Sequence, residues 1–383
     1  MKPVVARLLL VLLAVSPARQ TSASDAMSGY IKSYLLHQES LTQSQNSLRL
    51  MWDHPAAGYN LQLHYELSPT FSSVNVTSAT GNLPLPAAWR LTDIEQEAAS
   101  HGHHSVSQNL DRLNIQFNLA AGDITLGRQA ITFGMARVIN PTDVFLPFDV
   151  RTFNTEYRAG VDALRFQHPV GQLGEVDLGI ILGEGARADE SAAFLQVRGN
   201  VDGMDLQLAL TRYAGQSLIG GGLQTALGSF GFWLEAAATR GDQDYIRVST
   251  GLDYAFTENT YGLLEYHFNG AGSNQPEDYL TRPGSVAYQR GGVFLLGRHY
   301  LIPSISLQLS PLWSAGIQSI INLSDRSAFI SANVVLNASQ NVYLDLGYYH
   351  FLGRQFTQDN PPVPGSEYGS SPDTLYASVR YYF

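Results

Sequence analysis

The chain has 383 residues with a formal net charge of −10, and its 35 glycines and 11% aromatic residues are typical of short strands joined by tight turns. It contains no cysteine, which excludes disulfides, thiolate metal ligands and a cysteine nucleophile. The negative charge argues against a nucleic-acid partner. Beyond residue 24, no run of about 18 apolar residues is present, which excludes helical membrane spans. We predict no cofactor.

Residues 1–24 have the pattern of a secretory signal peptide. Lys2 and Arg7 form a basic start, an apolar run from Leu8 to Val15 follows, and small residues around Ala23 offer a cleavage site. The run is too short to span a bilayer as a helix. We therefore expect export by the Sec route and a second region, residues 25–383, that holds the fold.

The first part of that region alternates apolar and polar residues with a period of two. Segments 30–37, 47–53 and 59–67 are predicted strands, and the last two form a hairpin around a turn at 55–58. The hairpin has one apolar and one polar face.

Residues 68–108 are predicted to be a long loop. Thr92 and Glu95 could cap a short helix that runs to about residue 100. His101, His103 and His104 are weak candidates for a divalent-metal site, against the competing interpretation of a solvated polar loop.

Alternation returns at 110–119 and 124–133, and residues 134–158 form a second long loop. Within 124–133 the apolar positions change parity, from Ile124 and Leu126 to Ile131 and Phe133. A β-bulge near 127–129 would explain that change.

From residue 160 onward, strands and turns follow in a regular rhythm. The predicted total is about 18 strands, and the long loops 68–108, 134–158, 270–290 and 353–373 all fall at one end. A soluble β fold has no reason to sort its loops in this way. We therefore predict an all-β fold, a single closed antiparallel transmembrane β-barrel with short periplasmic turns and long extracellular loops.

The last ten residues, 374–383, alternate strictly and end in Phe383. Such an end resembles the closing strand of bacterial outer-membrane barrels, which the barrel assembly machinery reads. We expect a Gram-negative outer-membrane location, with outer-membrane lipid and lipopolysaccharide as surroundings.

The polar strand faces predict a water-filled lumen, because barrels of 16–18 strands leave an aqueous channel. Nine acidic and seven basic residues are predicted to face it, so the wall is close to neutral and strong anion selectivity is not expected. Cross-strand ion pairing is a competing interpretation of these charges. The predicted acids are Asp53, Glu66, Glu175, Asp177, Asp205, Glu235, Asp253, Glu265 and Asp345, and the bases are Arg49, Arg112, Arg165, Arg198, Arg247, Arg298 and Arg380.

Three stretches carry a family resemblance: 126–134, containing Gly-Arg-Gln, then 140–147 and 156–165. With 322–327 and 367–369, they resemble the alginate-export family and related outer-membrane porins over about residues 110–383. The resemblance implies an 18-stranded channel whose loops constrict a charged pore, with Arg128 at the pore wall and Arg137 and Asp143 on an infolded loop. The family's pore is strongly basic and this lumen is not, which makes alginate a poor fit.

We predict a porin-like channel for small hydrophilic or saccharide solutes and no enzymatic activity. The alternatives are a polysaccharide exporter, an adhesin, and a lipid-acting hydrolase, for which His104 and Ser105 lack a recognisable triad. A salt-bridge network that holds a loop inside the barrel is the competing role for several of the candidates. The pore or constriction candidates are Arg112, Arg128, Arg137, Asp143, Glu156, Arg158, Asp162, Arg165, Arg198, Arg247, Arg298 and Arg380.

Overall fold

The computed structural model describes residues 26–39, 41–74, 89–92, 97–145, 156–357 and 363–383. The predicted signal peptide lies outside these ranges. The loops, as far as these ranges describe them, contain three single-turn 3₁₀ segments and one four-residue helix, α1 (Val286–Gln289). The strands of the described residues are β1 (Ala26–Gln38), β2 (Leu41–Ala56), β3 (Tyr59–Ser72), β4 (Glu97–His101), β5 (His104–Leu119), β6 (Gly122–Gln129), β7 (Val161–Val170), β8 (Gly174–Leu182), β9 (Ala192–Val201), β10 (Met204–Tyr213), β11 (Gln216–Leu227), β12 (Phe230–Arg240), β13 (Tyr245–Thr257), β14 (Thr260–Asn269), β15 (His299–Ser310), β16 (Trp313–Asn322), β17 (Ser327–Ser339), β18 (Val342–Leu352) and β19 (Thr374–Tyr382).

The sheet closes on itself as an antiparallel barrel. β1 pairs with β2 on one side and with β19 on the other, where Ile31 lies opposite Tyr381. β3 pairs directly with β5, so the ring of paired strands closes without β4. The barrel therefore consists of the other 18 described strands. Closure leaves no unpaired edge, which a hydrocarbon environment requires. The predicted strand number and antiparallel closure are confirmed.

The connections are sorted by length, as predicted. Turns of two or three residues join the strands at one end, and the 202–203 turn has positive φ at both Asp202 and Gly203, the geometry of a tight hairpin. The long connections 73–103, 130–160, 270–298 and 353–373 all leave from the other end.

Two local predictions are wrong. Residues 97–101 form β4, which pairs with the start of β5, instead of the end of a short helix, because the pairing satisfies their backbone groups. The register is continuous across 127–129, so no bulge lies there. β6 ends at Gln129, and Ile131 is buried beyond the strand end, which accounts for the change of parity.

A bulge is present in β5. Arg112 lies opposite His64 and Leu110 lies opposite Tyr65, so Asp111 has no opposite residue on β3. The extra residue directs the Asp111 carboxylate to Arg49.

The outer surface is aliphatic in the middle of the strands and aromatic at the short-turn end. Leu164, Leu208 and Leu346 are exposed on that surface. Within the described residues, no helix is long and apolar enough to cross a membrane. Exposed aromatic side chains at the short-turn end match the girdle of a membrane barrel; they are Phe117, Phe230, Phe256, Tyr261 and Trp313.

The inner surface is polar near the short turns but apolar near the long loops. Tyr300, Ile302 and Phe329 on the wall are wholly or almost wholly buried, and they pack with Leu295 and Tyr368 from two of the loops. The expectation of a polar inner face therefore holds for only part of the barrel. The inward-folded loops narrow the lumen at the long-loop end.

The facing of β16–β18 can be tested with a pair of arginine substitutions. Leu346→Arg, on the outer surface, should destabilise the barrel by about 2–4 kcal/mol because it places a charge in hydrocarbon. Gln318→Arg, on the lumen side of β16, is the matched control and should cost far less. Denaturant unfolding from lipid vesicles measures both, and equal losses would contradict this facing.

Candidate functional site: a loop segment bound inside the barrel

Residues 134–145, here called the infolded segment, cross the inside of the barrel after β6 ends. The segment starts at Gly134, whose φ of +123° is open to glycine and whose missing Cβ leaves room for the Asn140 side chain. The segment then follows the inner wall of β10–β14. Its predicted position, inside the barrel, agrees with the structure.

Glu235 of β12 binds the infolded segment at both ends. Its side chain is wholly buried, and its carboxylate accepts hydrogen bonds from the backbone N–H groups of Met135 (2.6 Å), Ala136 (2.8 Å) and Thr142 (2.8 Å). The Thr142 hydroxyl donates a fourth bond at 2.7 Å. A buried carboxylate is tolerated when several donors replace its water, and here backbone amides supply most of them.

Glu265 of β14 binds the middle of the infolded segment in the same way. This second wholly buried carboxylate accepts bonds from the N–H groups of Arg137 (3.1 Å), Val138 (3.1 Å) and Ile139 (2.9 Å). The indole N–H of Trp233 adds a bond of 2.9 Å. The two glutamates predicted as lumen acids therefore serve as hydrogen-bond acceptors for a loop.

Further wall residues complete this interface. Ser249 donates to the carbonyl of Ile139 at 2.6 Å, and the amide of Gln224 donates to the carbonyl of Met135. Arg247, 2% exposed, donates to the carbonyl of Asn140 at 3.4 Å. Arg247 is thus buried beneath the segment, although the sequence placed it among the pore candidates.

The Arg137 side chain extends from the infolded segment into the lumen. It is 47% exposed, lies 3.4 Å from the Asp253 carboxylate and sits 5.7 Å from the ring of Trp233. Of the candidates discussed so far, this guanidinium is the one that meets solvent inside the barrel.

A second cluster, the Glu156 cluster, lies on the opposite wall. Glu156 contacts Lys32 of β1 at 2.7 Å, Arg380 of β19 at 3.5 Å and the hydroxyl of Tyr382 at 2.5 Å. Between β1 and β12 lie seven barrel strands in one direction and nine in the other, β13–β19 against β2, β3 and β5–β11. The cluster and the infolded segment therefore stand on opposite sides of the lumen.

The charge state of Glu156 follows from these contacts. Partial burial opposes its ionisation, but the hydrogen bonds from Lys32 and Tyr382, with the charges of Lys32 and Arg380, outweigh that effect and lower the pKa of its carboxyl.

A separate set of ion pairs lies beside the Glu156 cluster, where Arg49 is 4.2 Å from the ring centre of Tyr157. Arg49 pairs with Glu66 at 3.0 Å and also with Asp111. Arg112 donates to the carbonyl of Arg158 at 3.1 Å. Arg158 in turn pairs with Asp143 of the infolded segment at 2.6 Å, so charged contacts link the two sides of the same loop.

Arg128 and Asp162 lie at the rim and not in the lumen. Arg128 is 4% exposed and forms a bidentate pair with Asp162 at 2.7 and 2.8 Å. It also donates to the carbonyls of Leu110 and Thr92, which holds residues 89–92 against the barrel. This geometry fits the competing interpretation, in which Arg128 belongs to a salt-bridge network that holds a loop. A role of Arg128 in the pore stays a prediction.

Two pairs line the lumen near the short turns. Arg165 forms a bidentate pair with Asp177 at 2.9 and 2.6 Å, and Arg198 pairs with Glu175 at 2.9 Å. Arg298 lies just before the start of β15, and it donates to the carbonyl of Gly272.

The candidate histidines do not form a metal site in the part of the chain that is described. His101, His103 and His104 are exposed at the β4–β5 turn, and no group of three possible ligands is found in the described ranges.

Sequence reasoning missed Lys32 and Asp111. The first strand was given no facing, which left Lys32 unplaced, although the alternation of Tyr30, Lys32 and Tyr34 could have shown it. Asp111 faces the lumen only because of a bulge that has no clear sequence signal.

The comparisons with known proteins support the architecture. The chain is similar to OccD3 (OpdP) of Pseudomonas aeruginosa, with a TM-score of 0.57, 10% identity, and coverage of 96% of this chain and 93% of that one. It is also similar to OccAB4 of Acinetobacter baumannii (0.57, 9%, 96% and 100%) and to the outer membrane protein OpdK of P. aeruginosa (0.58, 9%, 94% and 99%). At this identity the likeness shows the fold alone, a closed 18-strand antiparallel β-barrel. No protein-family profile and no curated protein matches the chain. The matched structures are OprD/Occ porins, so the resemblance to the alginate-export family is not supported.

Removing the charges of Glu235 and Glu265 should release the infolded segment. In E235Q/E265Q, each side-chain amide has a single oxygen, whereas several backbone N–H groups need an acceptor. The free energy of unfolding should therefore fall by about 1–3 kcal/mol per site. We expect a lower melting temperature and noisier single-channel currents. E175Q, a lumen glutamate paired with Arg198, is the control and should leave the current noise unchanged. Quiet, wild-type currents from the double variant would contradict the role of these carboxylates.

The Glu156 contacts should make stability depend on pH. Because the folded pKa is lowered, the stabilisation is present above the unfolded pKa of about 4.3 and is lost as the pH falls through the folded value. The melting temperature of wild type should therefore exceed that of E156Q at pH 5–7, and the gap should shrink below about pH 4.3. E277Q, which changes an exposed loop carboxylate, is the control. A gap that does not depend on pH would exclude the ionised Glu156 as its source.

Proposed function

We propose that the protein is an outer-membrane diffusion channel for small hydrophilic solutes, saccharides among them. The observation that carries the proposal is the infolded segment, which Glu235 and Glu265 hold inside a closed 18-strand barrel. A segment bound in this way narrows a water-filled lumen and leaves it open. No separate plug domain is needed for the narrowing. The matched porin folds support the same proposal.

The charges along the path favour small solutes over polyanions. Arg137 stands beside Asp253, Arg198 beside Glu175, and Arg165 beside Asp177. A polyanion pore needs rings in which basic residues dominate, and carboxylates alternate with arginines here. A polysaccharide exporter of the alginate type is therefore the weaker candidate.

Exposed arginines still give small anions a partner in the lumen. One structural relative was solved with vanillate, an aromatic carboxylate. In this chain the half-exposed Arg137 guanidinium, which lies over the buried ring of Trp233, offers a cation for the carboxylate of such a solute. Small carboxylates are thus included in the proposed solute class.

We propose no enzymatic activity. On the outer wall, Asp373 accepts a bond from Tyr348 (2.6 Å) and contacts His350 (2.7 Å), and the His–Asp pair makes up two of the three members of a hydrolase triad. Within the described ranges, no serine hydroxyl is hydrogen-bonded to His350, so the nucleophile that such chemistry requires is missing.

The proposed location and biogenesis follow from the fold. A barrel with an aliphatic belt and an aromatic girdle belongs in a bilayer, and the long loops point to the extracellular side. We propose export through the Sec route and insertion by the barrel assembly machinery, which would read the strand that ends at Phe383.

Conductance in planar bilayers tests the channel directly. The purified protein should give discrete, stable current steps with weak ion selectivity. A barrel that stays silent at all voltages would favour the adhesin or hydrolase alternatives. Liposome swelling with neutral sugars and with carboxylates of the same size would then separate the two solute groups.

Arg137 should contribute to ion selectivity. One unit charge at about 4 Å in water changes an ion's energy by about 1 kcal/mol, which is about fivefold in local concentration. R137A should therefore shift the permeability ratio toward cations by up to about fivefold. R187A removes a similarly exposed arginine from the β8–β9 loop and should leave the ratio unchanged. An unchanged reversal potential in R137A would place Arg137 outside the conducting path.

A further inference from the structure

The outer wall of β9–β12 carries a groove of about 440 Å³ just below the long-loop end of the barrel. The floor is built from small residues, Ala193 and Ser217, between larger neighbours. The connection between β10 and β11 is a two-residue turn, 214–215, so no long loop covers the groove.

Two rows of outward side chains cross the groove, and cross-strand pairing fixes both. In the upper row, Arg212 lies opposite Ala193 on one side and Ser217 on the other, and Ser217 lies opposite Arg240. The two arginines are two strands apart, roughly 10 Å.

The lower row is wholly aliphatic. Leu210 lies between Leu195 and Ile219, and these three side chains are 37–56% exposed on the outer surface. A cationic row above an apolar row is the pattern that an anionic amphiphile complements.

The arginines of the upper row face outward, unlike the paired arginines of the lumen. Arg165, Arg198 and Arg380 face the lumen, where each has a carboxylate partner. Arg212 faces outward and donates to the Ser217 hydroxyl at 2.6 Å, and the described residues place no carboxylate within 4.0 Å of it. Arg240 pairs with Asp244 at 2.6 Å, but both side chains are more than half exposed.

We propose that this groove binds a phosphorylated, multiply acylated glycolipid of the outer leaflet. A phosphate would accept hydrogen bonds from Arg212 and Arg240, and an acyl chain would lie along Leu195, Leu210 and Ile219. A phosphate on a sugar head group sits at the height of the arginine row, while the chains below match the aliphatic row. Assignment of this end to the outer leaflet rests on the proposed function.

Native mass spectrometry of the full-length barrel in detergent tests the proposal, with bisphosphorylated lipid A as the probe. Dephosphorylated lipid A and phosphatidylglycerol are the comparison ligands. Wild type should bind bisphosphorylated lipid A at least about tenfold more tightly than R212S/R240S does. It should prefer this probe over both comparison ligands by a similar factor.

Two further variants sharpen the result. A193W keeps both arginines but fills the groove, so it should also weaken lipid A binding, and it carries the test if R212S/R240S does not fold. R187S removes an arginine outside the groove and should bind as wild type does.

Equal binding by wild type and R212S/R240S, or by wild type and A193W, would overturn the proposal. Equal binding of phosphatidylglycerol would overturn the assignment to a glycolipid. Conductance of the same preparations is recorded separately in membranes free of lipid A. A barrel that conducts but does not prefer lipid A refutes only the groove, and a silent barrel that binds lipid A refutes only the channel.

Discussion

The arrangement inside this barrel depends on two buried carboxylates that accept hydrogen bonds from a backbone. Glu235 and Glu265 together receive six backbone N–H groups from residues 135–142, and neither has a basic partner among the described residues. Charge-assisted bonds of this kind are stronger than neutral ones and depend on where the backbone runs rather than on which side chains it carries. They bind the infolded segment at its ends and its middle, and so fix where Arg137 enters the lumen.

The rest of the interior follows from that placement. The far side of the same loop, around Glu156 and Arg158, contacts β1, β5 and β19, while the infolded segment contacts β10–β14. The Arg158–Asp143 pair joins these two sides. Apolar packing then narrows the long-loop end of the barrel, where residues such as Tyr300 and Phe329 lie on the wall against loop side chains. Nearer the short turns the wall carries ion pairs, of which Arg198–Glu175 is exposed to the lumen.

Most of the fold could be predicted from the sequence because strand alternation and turn residues are local signals. Strands β3 and β19 begin at the predicted residues, 59 and 374, and the four long loops were assigned to the correct end. The site could not be predicted equally well. Glu235 bonds to a residue 100 positions away and Glu265 to one 126 away, and the partners are backbone groups that leave no mark in the sequence. Arg128 stood out by its motif, yet its donors are used by Asp162 and two carbonyls at the rim.

The central claim is that the bound segment places Arg137 in the conducting path, and thiol modification of an open channel tests it most directly. The chain has no cysteine, so Arg137→Cys introduces the only thiol. Adding a charged methanethiosulfonate reagent during a single-channel recording should then change the current in one irreversible step. Arg128→Cys, at a position that is 4% exposed, should give no such step. A current through R137C that the reagent leaves unaltered would contradict the account.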